Sequence, residues 1–105
     1  MLFRSGRYLP LSHELFANDA IVMKDMPKEL TIESPNGSRK IHAAFPDMAH
    51  LGIWSCGNAP FVCIEPWSSL PSRKDIVEDL ETQPNLISLE AGKTYTNTWS
   101  ISFYR

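Results

Sequence analysis

Between residues 94 and 103 the chain alternates more strictly than anywhere else. Tyr95, Trp99, Ile101 and Phe103 fall on one side, with Thr94, Thr96, Thr98, Ser100 and Ser102 on the other. A period of two belongs to an extended strand, whereas the apolar positions of an amphipathic helix recur every three or four residues. Such a strand fits an antiparallel sheet with one face on a core and one face wet.

The same pattern, in shorter pieces, runs through the rest of the chain. Leu30-Thr31-Ile32-Glu33 alternates, and Lys40-Ile41-His42-Ala43-Ala44-Phe45 returns antiparallel to it. Asn36-Gly37 between them predicts a type I′ turn, which needs positive φ at both central residues. In that register His42 lies opposite Ile41 and Ala43 and is expected to face solvent. Ala20-Ile21-Val22-Met23, Leu51-Gly52-Ile53-Trp54-Ser55 and Leu86-Ile87-Ser88-Leu89 supply further short strands, and Ala91-Gly92 a turn. Gly52 within its strand allows a bulge or the close approach of another group. Helical structure is expected twice. Ser12 can cap one turn over His13-Glu14-Leu15-Phe16, and Ser72 with Asp75 resembles a capping box ahead of Ile76, Val77 and Leu80, stopped by Pro84. Six or seven short strands joined by tight turns predict an all-β fold, an antiparallel β-sandwich or part of one.

Length and charge set the outer limits. The 105 residues hold one modest core, so residues 1–105 are expected to form a single, partial domain. Met1-Leu2-Phe3-Arg4-Ser5 shares no pattern with the residues after it and reads as a candidate non-native start, as in a reading frame cut from a longer gene. A net charge of −2 provides no field for nucleic acid or an anionic membrane, and neither is expected as a partner. No run of eighteen apolar residues and no apolar leader segment occurs, so a cytoplasmic, soluble chain is expected. Cys56 and Cys63 are too few for a disulfide framework or a zinc site and read as reduced, partly buried thiols. His13, His42 and His50 are scattered without metal-ligand spacing, so no metal is expected. Asp19 and Asp25 read as turn residues.

One stretch resists a purely structural reading. Ala59-Pro60-Phe61-Val62-Cys63-Ile64-Glu65-Pro66-Trp67 runs an apolar strand into a carboxylate and then a proline. Val62 and Ile64 share one face, while Phe61, Cys63 and Glu65 share the other, so both faces look buried. An unpaired buried charge costs several kcal/mol in practice. Glu65 must therefore be paired, hold its proton more tightly, or face a wet pocket. It is either structural, accepting hydrogen bonds from neighbouring backbone or paired with an arginine, or a general base at the mouth of a pocket. Pro66 is expected to end the strand and aim Glu65. Trp54 and Trp67 bracket Glu65 in sequence, as core filling or as platforms for the apolar faces of a sugar.

Three segments carry a resemblance. The run 51–55, the run 59–67 and Leu89-Glu90-Ala91-Gly92-Lys93-Thr94-Tyr95 resemble the C-terminal end of the aldose 1-epimerase (galactose mutarotase) family, in particular its bacterial LacX-like branch. Leu9-Pro10-Leu11-Ser12-His13-Glu14-Leu15-Phe16 and Asn18-Asp19-Ala20-Ile21-Val22 are similar to that branch too. The resemblance implies the C-terminal part of a galactose mutarotase-like supersandwich that interconverts α and β anomers of a free aldose, a hexose for instance, with no cofactor. It implies Glu65 as the base that takes the C1 hydroxyl proton. The family's acid histidine lies in an N-terminal part, and none of His13, His42 and His50 sits in its motif. The expectation is a fragment with half a catalytic pair, inactive alone and prone to self-association through exposed sheet edges. Ser68-Ser69-Leu70-Pro71-Ser72 replaces the family's glycine-containing segment, so the sugar-contact loop is expected to differ. The alternative is a non-catalytic carbohydrate-binding β-sandwich module using Trp54 and Trp67.

Overall fold

A computed structural model describes residues 8–71 and 74–105. Met1-Leu2-Phe3-Arg4-Ser5 and the predicted cap Ser72 lie outside the described residues. After a 3₁₀ turn at His13–Phe16 come six strands: β1 (Ile21–Met23), β2 (Glu29–Glu33), β3 (Lys40–Ala44), β4 (His50–Trp54), β5 (Cys63–Trp67) and β6 (Ser100–Tyr104). They form two antiparallel three-stranded sheets, ordered β1-β4-β5 and β2-β3-β6. The chain is all-β, as its alternation predicts.

Register decides which side chains meet. In the first sheet Ile21, Ile53 and Ile64 align across the strands, as do Met23, Leu51 and Pro66, and this face looks onto the core. In the second, Leu30 pairs with Ala43. Leu51 and Phe45 are 1% exposed, and with Phe16 and Ile53 they form a nucleus against which Ile21, Met23 and Ile64 from one sheet and Leu30 and Ala43 from the other all pack. One shared nucleus between two sheets is the arrangement of a sandwich.

Several local expectations change. The hairpin turn is not type I′: Gly37 has φ 70 but Asn36 is not in the positive region. Ser34 O instead accepts from Gly37 N at 2.8 Å, which puts Pro35 and Asn36 at the centre and lets Pro35 preset the first φ. His42 lies on the face opposite Ile41, as expected, with its side chain 32% exposed; Nδ1 is 2.9 Å from Thr31 Oγ1 and Nε2 is 3.6 Å from Glu29 Oε2. Ser12 precedes the 3₁₀ turn without a side-chain cap.

The helix expected after Ser72 does not form. Asp75 takes φ 60, which a right-handed helix excludes, and Asp79 closes turns by accepting from Thr82 N, Gln83 N and Glu81 N. Ile76, Val77 and Leu80 are exposed, so the apolar stripe that stabilises a short helix has nothing to pack on. Residues 86–89 are not a strand either, and of the alternating run 94–103 only 100–103 are paired, within β6. Ala91-Gly92 does make its turn, with Gly92 at φ 77 and Lys93 N donating to Glu90 O. Asp19 and Asp25 occupy positive-φ positions in turns. Cys56 is exposed rather than partly buried, and both cysteines are free.

Candidate functional site

Glu65 sits in the middle of β5 and not at its end. Pro66 is paired opposite Leu51, so it does not terminate the strand. A proline is tolerated here because β5 is the edge of its sheet and needs ladder bonds on one side only. The strand is half-buried throughout, which corrects the expectation of two buried faces.

Alternation gathers Val22, His50, Gly52, Trp54, Cys63, Glu65 and Trp67 on the face opposite Ile21, Leu51, Ile53 and Ile64; His50 and Gly52 are buried there, and Trp54 also packs against the core. Gly52 is directly opposite Glu65, His50 opposite Trp67 and Trp54 opposite Cys63. The two tryptophans that bracket Glu65 in sequence therefore stand on its own face. Trp54 Nε1 donates a hydrogen bond to Glu65 Oε1. Of the alternatives open for this carboxylate, it is paired, and its partner is an indole rather than an arginine or a backbone amide. The Trp54 ring also meets Phe61 edge-on, with centroids 5.7 Å apart and planes at 89°.

Trp67 is held differently. A Cβ placed on Gly52 would lie 2.7 Å from Trp67 Cζ2 and 3.1 Å from Cε2, closer than packed atoms allow. The indole lies across the glycine backbone, which is the close approach that a glycine inside this strand permits. Trp67 also borders an open groove of ≈380 Å³ with Met48, Pro66, Ser68, Ser69 and Pro71. That groove is not lined by Glu65 or Trp54, so the part-buried carboxylate does not stand at its mouth.

His50, just outside the strand expected over 51–55, begins β4 on the Glu65 face and is 7% exposed. Its Nδ1 accepts from Asp25 N at 3.4 Å, while Met26 N donates to Ala49 O next to it. The signal for this placement is present in the chain, since His50, Gly52 and Trp54 alternate. His13 lies elsewhere, its Nε2 2.9 Å from Ala59 O. Among the described residues no three His, Cys, Asp or Glu side chains gather as a metal-ligand set. No helix among them is long and apolar enough to cross a membrane.

The fold defines a two-sheet, all-β chain with one carboxylate between two indoles. It is similar to two Lactococcus lactis subsp. lactis proteins, "Protein LacX, chromosomal" and "Protein LacX, plasmid", each 28% identical over 96 residues that cover 90% of this chain. The chain spans about a third of the length of these relatives, 32% in each case. No family model and no solved structure matches it.

Proposed function

We propose that the chain is the C-terminal part of an aldose 1-epimerase-type protein, and that Glu65 is the general base of anomer interconversion in the completed molecule. One observation carries this reading: the part-buried Glu65 carboxylate is held by the Trp54 indole, with Trp67 two residues along the same strand and on the same sheet face. The likeness to the LacX proteins over 90% of the chain and the motif resemblance support it.

The chemistry needs two groups. Glu65 takes the proton of the C1 hydroxyl as the bond from C1 to the ring oxygen breaks. C1 becomes a carbonyl, and an acid delivers a proton to the departing ring oxygen. Rotation about C1–C2 and reclosure on the other carbonyl face gives the second anomer, with both protons returned. Among the described residues the face around Glu65 offers no such acid. An indole N–H donates hydrogen bonds without giving up its proton, and His50 is shielded from a sugar. The acid comes from the remaining length of the protein, and the isolated chain is expected to be inactive.

Polarimetry on freshly dissolved α-glucose or α-galactose tests this. The 105-residue chain should not exceed the buffer rate. Joined to the preceding two-thirds of a LacX protein, it should catalyse, and Glu65→Gln should lower the rate at least ~100-fold. A joined protein that catalyses equally well with Glu65→Gln removes the base role. Catalysis by the short chain alone, abolished by Glu65→Gln, would place an acid within it.

A non-catalytic sugar-binding module is the second reading, favoured by Trp67 lying across Gly52 and bordering an open groove. Fluorescence titration of the chain with hexoses separates the two. Saturable binding without catalysis by the joined protein supports the module, and no saturable change counts against it.

A further inference from the structure

We infer that the two tryptophans divide the work: Trp54 is a positioning residue for the Glu65 carboxylate, and Trp67 is the sugar platform. The inference rests on the reading of Glu65 as a base. It replaces the symmetric picture in which both indoles stack on the substrate.

The two rings differ in what they have left to offer. Indole carries a single polar atom, a donor, and in Trp54 that donor is spent on Glu65 Oε1. The same ring is fixed from a second direction by its edge-on contact with Phe61. Trp54 is thereby part of the support of the carboxylate. Trp67 lies across the backbone of Gly52, the residue paired with Glu65 itself, which sets an apolar surface beside the carboxylate. Its ring also borders the groove formed with Ser68 and Ser69.

The pairing has a consequence for the base. The terminal torsion of a glutamate is broad and nearly two-fold, so an unheld carboxylate presents either oxygen over a wide arc. A charge-assisted bond to Oε1 selects one orientation and leaves Oε2 as the oxygen that receives the proton. Catalytic geometry of this kind is sensitive to displacements of about 1 Å.

The test begins with the ¹⁵N-labelled chain, whose three tryptophans give three indole N–H signals. Trp54→Phe identifies the Trp54 signal while keeping a ring against Phe61. Glu65→Gln should move that signal and leave those of Trp67 and Trp99 in place. In the protein completed with the preceding two-thirds of a LacX chain, Trp54→Phe should lower kcat about 10-fold or more at unchanged KM, whereas Trp67→Ala should raise KM about 10-fold. A Trp54 signal indifferent to Glu65→Gln, or three coincident indole signals in the unaltered chain, overturns the inference. So does a Trp54→Phe variant whose loss lies in KM. Failure of the base reading looks different: Glu65→Gln leaves catalysis intact while the Trp54 signal still responds to it.

Discussion

At the scale of single residues, Gly52 and Ser55 carry the sharpest consequences. Gly52 has no side chain because the Trp67 ring occupies the space where a Cβ would go. Gly52→Ala must push back either the indole or the β4–β5 pairing, and overpacking of this kind costs about 1–3 kcal/mol. A urea titration should register that loss, and the near-ultraviolet dichroism of Trp67 should change with it; an unaltered tryptophan signal would contradict the packing. Ser55 presents the opposite case. It is buried, and its Oγ has no hydrogen-bond partner among the described residues. Removing an unsatisfied hydroxyl, so that the side chain becomes a methyl group, removes a desolvation cost of about 1–3 kcal/mol. Ser55→Ala is therefore expected to raise the urea midpoint at constant m-value, and a lowered midpoint would reveal a partner for the hydroxyl.

At the scale of elements, the β2–β3 hairpin shows which local interactions matter. Gly37 follows the Ser34-Pro35-Asn36 turn at φ 70, a conformation that an L-residue adopts only under strain. Gly37→Ala should cost about 1 kcal/mol. The Lys40–Glu33 pair at 3.5 Å looks more conspicuous, but both side chains are about half exposed, and such pairs contribute only a few tenths of a kcal/mol. Lys40→Gln is expected to shift the midpoint far less than Gly37→Ala, and equal effects would refute that ranking. Legibility in the sequence follows the same physics. β2, β3 and β4 are readable because alternation, turn residues and packing agree over 29–54. The turn type is not, because Asn36-Gly37 taken alone leaves out the Pro35 that precedes it. Residues 76–89 mislead because apolar spacing by itself makes no helix or strand when nothing covers the apolar side. At the site, Glu65 is legible as an oddity of its strand. Its indole partner is not, since a bond between residues 54 and 65 depends on the β4–β5 register.

At the scale of the whole molecule, the second sheet is built inside out at one edge. Register places Leu30, Ile32, Ile41, Ala43, Ile101 and Phe103 on one face, and the β6 end of that face is open: Phe103 is 76% exposed, and Ile41 and Ile101 are exposed as well. The radius of gyration, 16.2 Å, exceeds the roughly 13 Å of a compact chain of this length. An apolar face beside an edge strand with unused backbone donors and acceptors invites another chain. We therefore expect the isolated 105-residue chain to self-associate through β6. On size exclusion its elution should move toward larger species as loading rises. Phe103→Lys should return it toward monomer, because the substitution places a charge on the exposed face without touching the buried nucleus around Leu51 and Phe45. Far-ultraviolet dichroism must stay unchanged in that variant for the result to count as lost association and not lost folding. Joining the chain to the preceding two-thirds of a LacX protein should have the same effect as Phe103→Lys if that polypeptide covers the face. A compact monomer at every loading would show that the open face of β6 is tolerated in water and that the chain needs no partner to hide it.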